Sequence, residues 1–363
     1  MKIKRFLLIL TLFLFAFSLS AQDVIENPEN PLNKKTGRII QLKEVMRIRD
    51  IPEKDVIFKR PKYLVVDGEG DIYVCEGLHI YKFDSNGKFV FRMIKKGQGP
   101  GEIWSDVVSG ISNYFVTNDE VVVCTAYPYK IMRFNLKGDF KNEIRIKVEP
   151  PPRFIGLADN EVYILEEEVP AEARRKIGYF DYQVNLSKFS LNFQEKKEIY
   201  SIQMRGYSDP EQRRFSQGRI EGTLKNNKTL FFTHTPEYQI IKFNLEENEV
   251  EKIFKRKYKR VENPRKKSDL KYLQDIDALI VVKDKIWVFT STQDERGNRL
   301  IDVFDMDGKY IDKFYLEFPE SFIYRHLPIG IIVIKGNFVF TIERDDEGYF
   351  SIVKYQMESG SIE

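Results

Sequence analysis

Three histidines, two cysteines and one glycine-rich run are the side chains and segments in this sequence best suited to chemistry. His79, His234 and His326 could serve as general bases or metal ligands, because imidazole titrates near neutral pH. A zinc site needs three or four ligands in tetrahedral array, and the three histidines lie far apart, with no His-Glu-x-x-His pair among them. No Gly-x-Ser-x-Gly or Cys-x-x-Cys spacing occurs either, so nucleophile-elbow and thiol-pair chemistry have no motif here. Gly97-Gln98-Gly99-Pro100-Gly101-Glu102 has the glycine density of a phosphate loop but not its context. A phosphate cradle needs a helix beginning after the glycines, and a P-loop ends in Gly-Lys-Ser/Thr. Here Pro100 and an acidic Glu102 follow, and the run reads as a structural linker. Asp84-Ser85-Asn86-Gly87 and Asp305-Met306-Asp307-Gly308 lack the downstream Glu of a calcium loop and fit hairpin turns. Tyr127 and Tyr129 flank Pro128 and could stack on a sugar or a peptide.

The elements that must position these groups are short strands. Lys62–Val66 is an apolar run, Asp67-Gly68-Glu69-Gly70 a turn and Asp71–Cys75 a second run; Ile80–Phe83, a turn at Asp84–Gly87 and Lys88–Ile94 complete the unit. Runs rich in Val, Ile, Tyr and Phe between turns built on Gly, Asn and Asp mark antiparallel hairpins. Pro61 to Trp104 is therefore one four-stranded meander. It resembles a repeat of the NHL-type propellers in Val66-Asp67, Gly70-Asp71-Ile72-Tyr73-Val74, Ile80 to Lys88 and Gly97 to Glu102. Secreted bacterial propellers similar to NHL proteins carry the same Gly-Pro-Gly-Glu linker. The chain departs at Leu78-His79, where the family has Asn-His. The resemblance implies an all-β, six-bladed propeller and says little about function.

Self-similarity along the chain agrees. The third strand, Ile80-Tyr81-Lys82-Phe83-Asp84, returns at Ile131–Asn135, Ile240–Asn244 and Ile301–Asp305, with weaker echoes at Leu186–Ser190 and Ile352–Gln356. The second strand returns in step at Val121–Cys124, Val162–Leu165, Thr229–Phe232, Ile286–Phe289 and Phe338–Thr341. Both series count six units of four antiparallel strands. Two tandem β-sandwiches are the architectural alternative, disfavoured because no linker interrupts the series.

The sixth unit lacks a fourth strand before the chain ends at Glu363. A closed propeller removes its free edge by letting one terminus complete the last blade. Arg38–Ile48, strand or short helix by pattern alone, is the spare segment and is expected to pair beside Ser351–Tyr355. Residues 22–37, polar with Pro28 and Pro31, read as a flexible lead-in. The cationic run Lys255 to Arg260 reads as an outermost edge strand charged against sheet-to-sheet pairing, with a docking patch for an anionic surface as the sharper alternative.

A meander sorts its loops by parity. Second-to-third loops and blade-to-blade linkers lie at one end of the ring, the remaining turns at the other. The long connections 166–182, 205–222 and 258–274 all belong to the first set, as do His79, His234, Gln98, Tyr127, Tyr129 and Arg296. That face is where binding is expected, with Tyr127, Tyr129, Gln98 and Arg296 as candidate contacts. Enzymes similar to NHL propellers use pore-mouth histidines with a metal or as a base, which makes His79 and His234, in the first and fourth units, the catalytic alternative. Cys75 and Cys124 close equivalent strands of successive units, point the same way round the ring and are expected to be buried free thiols.

Residues 1–21 have a basic start at Met-Lys-Ile-Lys-Arg, an apolar run from Phe6 to Leu19 and a small residue, Ala21, before a polar stretch. This describes a secretory signal peptide, too short in its apolar part for a membrane anchor. Lys2, Lys4 and Arg5 account for the whole excess of 58 basic over 55 acidic residues, so charge gives no support to a nucleic-acid partner. The expectation is an exported, periplasmic or extracellular monomer: residues 38–363 forming a binding or scaffold propeller for a protein, peptide or glycan, without cofactor or metal. A metal-assisted lyase or hydrolase is the alternative.

Overall fold

A computed structural model describes residues 23–104, 110–126, 129–145, 153–191, 196–211, 214–216, 220–226, 228–264, 271–319 and 331–359. Short β-branched and aromatic runs pair with their sequence neighbours, because each hairpin turn is too tight to allow anything else. Blade one is Lys62–Val66, Ile72–Glu76, His79–Phe83 and Phe89–Met93. Blade two runs from Ile111–Val116 to Phe140–Arg145, and blade three from Arg153–Ala158 to Arg214–Ser216. Blade four runs from Glu221–Asn226 to Glu249–Arg256, and blade five from Ile276–Val282 to Tyr310–Leu316. Blade six is Ile332–Lys335, Phe338–Arg344 and Phe350–Ser359.

Ile39–Ile48 is the missing fourth strand of blade six, antiparallel to Phe350–Ser359 with Glu44 opposite Tyr355 and Ile48 opposite Ile352. The expected closure is therefore present. Inner strands neighbour one another around the ring, ending with Ile332–Lys335 beside Lys62–Val66.

Because the strands alternate their side chains between two faces, each blade supplies apolar residues to both of its seams. Six buried clusters result, one per seam. Tyr73, Cys75, Val121 and Val123 meet between blades one and two, while Cys124 joins Ile131, Ile164 and Phe189 between two and three. The two thiols are buried and free in different seams. A six-seam circle has no room for two separate sandwiches.

Two expectations need correction. Asp23–Asn27 is not an unstructured lead-in: it is a strand, parallel to Glu249–Arg256, with Asn27 opposite Arg256. The cause is the unpaired outer edge of blade four, whose backbone groups a passing extended segment satisfies. It follows that the cationic strand is not outermost, and Arg256 is buried. From Asn27 the chain continues along blade five, where the Leu32 N–H donates to the Tyr310 carbonyl and the Asn33 N–H to that of Ile311. The N-terminal segment thus straps blades four, five and six in turn.

Candidate functional site

Each blade pairs antiparallel throughout, so the parity of loops holds and the linkers share a face with the second-to-third loops. Gln98 is exposed in the first linker. The glycines around it wrap the chain's own Glu102: the Gly99 N–H donates to Glu102 Oε2 at 2.9 Å, and a Cβ on Gly97 would stand 2.0 Å from that oxygen. The anion cradle suggested by the glycine spacing is filled from within. Lys130 Nζ locks the linker by donating to the Glu102 carbonyl at 2.6 Å and to Glu143 at 2.9 Å.

Tyr129 is half-buried beside Lys130; Tyr127 and His326 lie outside the described residues. Arg296 is exposed in the Asp294–Gly297 turn of blade five, its N–H donating to Asp294 Oδ1 at 2.9 Å. Gln98 stands in the linker between blades one and two, Tyr129 before the third strand of blade two and Arg296 in the second-to-third turn of blade five. His79 Nδ1 is 2.9 Å from the Ile94 carbonyl, and its ring lies 6.0 Å from that of Tyr81. His234 packs 6.3 Å from Phe232 in blade four. Burial holds both imidazoles below their ordinary pKa. They sit across the ring from one another, and among the described residues no group of three His, Cys, Asp or Glu could hold a metal ion.

Two features escaped the sequence reading. The first is a set of β-bulges near the entry of the inner strands. Register slips fall between Lys62 and Val65, between the partners of Cys124 and Thr125, between Phe154 and Gly156, and between Ile276 and Ala278. Bulges bend a strand and re-aim side chains. In blade one the bulge leaves Tyr63 at φ 53°, a conformation that costs a bulky residue roughly 1–3 kcal/mol. Its neighbour Lys62 sits over the Tyr63 ring at 4.8 Å and donates to the Ile111 carbonyl at 2.9 Å. Burial lowers the Lys62 pKa. Across the ring Arg153 stands 3.9 Å from Glu221. Three of the inner strands thus begin on a charged side chain, Lys62, Arg153 or Glu221.

The second feature is blade three itself. Its third and fourth strands, Gly178–Ser190 and Lys196–Asp209, have 13 and 14 residues, against 5 for each counterpart in blade one. The connections expected as long loops at 166–182 and 205–222 are largely an extension of this sheet, a ribbon standing beyond the linker face. Alternation sorts its faces. Tyr182, Val184, Ile202 and Met204 enter the seam with blade four. The opposite face carries the cross-strand pairs Tyr179 with Tyr207, Asp181 with Arg205 and Gln183 with Gln203. Tyr179 is 54% exposed; its ring meets Tyr207 edge-on at 5.2 Å and Arg205 at 4.9 Å. Gln183 Nε2 donates to Asn185 Oδ1 at 2.8 Å, Asn185 Nδ2 to Glu168 Oε1 at 3.0 Å and Ser187 Oγ to Glu166 Oε2 at 2.9 Å. The alternation in Tyr179-Phe180-Asp181-Tyr182-Gln183-Val184 was the available signal; its aromatic residues on both faces blurred it.

A closed ring of six meanders, with an elaborated linker face, defines the class: the chain is a six-bladed β-propeller. Residues 32–205 match the model of a family described as a 6-bladed beta-propeller. A member of the DUF4221 family from Bacteroides vulgatus is similar in structure at a TM-score of 0.55 and 10% identity, over 90% of this chain and 100% of that one. A Bacteroides fragilis protein named "putative exported protein" is similar at a TM-score of 0.52 and 13% identity, over 93% and 100%. At these identities the likeness is one of fold. No curated protein matches the sequence. Among the described residues no helix is long and apolar enough to cross a membrane.

Proposed function

We propose that this propeller is an exported, non-catalytic binding module that engages a protein, peptide or glycan on its linker face, with the blade-three ribbon as primary contact. The observation that carries the reading is the ribbon's division of labour: one face is anchored in a seam, and the other holds aromatic and polar side chains in solvent, already aligned by cross-strand pairing. Preorganised groups on a rigid scaffold lose little entropy on binding, and exposed Tyr and Arg are the side chains that most often anchor interfaces. Export is supported by the sequence of residues 1–21 and by the name of the Bacteroides fragilis protein of similar fold, "putative exported protein".

The test is retention of the mature protein on immobilised glycan and protein fractions of a bacterial envelope, measured separately, for wild type and for Tyr179→Ala/Tyr207→Ala. Retention should fall about tenfold or more in the variant; equal retention would overturn the reading. The alternative, a metal-assisted lyase or hydrolase on His79 and His234, is checked on the same sample: stoichiometric metal in wild type, lost in His79→Ala, would favour it.

A further inference from the structure

We infer that the solvent face of the blade-three ribbon is a site for a neutral oligosaccharide. This rests on the reading of that face as a binding surface and names its ligand class. Three observations select it. The ionised groups are largely neutralised within the wall: Asp181 faces Arg205 at 4.0 Å, and Lys196 Nζ donates to Glu166 at 2.7 Å. Such a surface has no strong field with which to recruit a polyanion or polycation.

The rows next to the tyrosine pair, Asp181 with Arg205 and Gln183 with Gln203, present a carboxylate, a guanidinium and two amides without an apolar side chain among them, and Asn185 and Ser187 beyond them are buried. A protein partner would bury these groups under an apolar interface core and leave many of them unpaired, at a cost for each. A sugar presents hydroxyls that both donate and accept, and it can satisfy the acceptor sites and amide hydrogens that remain after the internal bonds are made. At the tip, the exposed Tyr179 ring, held edge-on by Tyr207, is an amphipathic platform for the apolar C–H face of a pyranose.

Dimensions fix the size of the ligand. Residues on one face of a strand repeat every ~6.8 Å, so the accessible rows from Tyr179 to Gln183 span roughly 14 Å. That length exceeds one sugar ring and suits a short chain.

The experiment is a printed array of neutral hexose, pentose and N-acetylhexosamine oligosaccharides beside uronic-acid and sulfated ones, probed with the full mature protein and with Tyr179→Ala, Gln183→Ala and Gln203→Ala. These positions are on the solvent face, and melting curves of each variant verify the fold; the two glutamine variants serve if the tyrosine variant does not fold. At least one neutral oligosaccharide is expected to be retained, with affinity falling about tenfold in Tyr179→Ala and in Gln183→Ala. Retention of no neutral glycan, of charged glycans alone, or of a neutral glycan equally by all variants would overturn the inference. If envelope proteins are nevertheless retained in a Tyr179-dependent manner, the binding function survives and only the ligand class falls.

Discussion

Asp302 has no exposed surface, and its carboxylate is held by three partners from the seam of blades four and five. Tyr238 donates to it at 2.7 Å, Arg256 Nε at 2.9 Å, and Tyr310 through its hydroxyl. Arg256 lies between the rings of Tyr238, Tyr258 and Tyr310 at 4.9, 4.9 and 5.0 Å. Replacing it with Leu strands a carboxylate in the interior, and denaturant unfolding should show a loss of about 3–5 kcal/mol. Arg256→Leu/Asp302→Asn should recover part of that loss, because the neutral amide oxygen still accepts from one tyrosine while its NH2 donates to the hydroxyl of the other. Single and double variants of equal stability would contradict this account. The two described histidines carry a pH signature. Burial lowers their folded pKa values below the unfolded value of about 6.5. Protons then bind the unfolded chain first, so the contribution is complete above that pH and is lost as pH falls through it. The melting temperature should drop between pH 7 and pH 5, and less steeply in His79→Gln/His234→Gln. Burial raises the pKa of Glu76 and so acts with the opposite sign, which is why the difference between the two proteins is the quantity to read.

Strands decide what the residues face. Cys75 and Cys124 occupy equivalent positions on second strands, but one points into the first seam and the other into the second. Burial pushes the Cys75 thiol up to about 12 and raises that of Cys124 as well, so neither offers a thiolate at neutral pH. A thiol reagent should modify neither cysteine in the native protein and both in denaturant; a missing pair of thiols in the unfolded, unreduced chain would mean a disulfide. The N-terminal strand acts at the same scale. Asn27 Nδ2 donates to the carbonyls of Lys255 and Gly308 at 3.1 and 2.9 Å, and its Oδ1 accepts from the Tyr310 N–H at 2.9 Å. Asn27→Ala leaves those backbone groups without their partner inside a closed seam. It should cost about 1–3 kcal/mol in denaturant unfolding, where a freely moving lead-in would cost nothing.

The molecule as a whole is held shut by its beginning. Ile39–Ile48 pairs along Phe350–Ser359, and Arg47 adds a bond to Ser351 Oγ at 2.7 Å and an ion pair to the buried Glu343 at 3.3 Å. Without this strand blade six keeps an open edge and the seam with blade one loses Ile48. Deletion of residues 39–48 should lower the melting temperature far more than truncation of 23–26 alone, since only the former opens the circle. Equal effects would show that closure is not what stabilises the ring. The strap lies on the outer edges of blades four and five and completes blade six, while in blade three Arg214–Ser216 pairs with the end of Lys196–Asp209.

Much of this architecture was legible because it is written in short range. Alternating apolar runs and turn residues with positive φ specify each hairpin locally, and the repetition of Ile-x-x-Phe strands gave the number of units; the unpaired sixth blade then required the N-terminal segment. The parity of the loops followed from the same count. What lay beyond reach depended on tertiary packing: the pairing of Asp23–Asn27 with Glu249–Arg256, and the folding of Glu102 back into the glycine linker beneath Lys130. The ribbon of blade three was partly visible in its alternation, but only packing against blade four decides which face is anchored and which meets solvent. Local steric and hydrophobic rules act within a few residues, whereas a site is set by which surfaces the closed ring brings together.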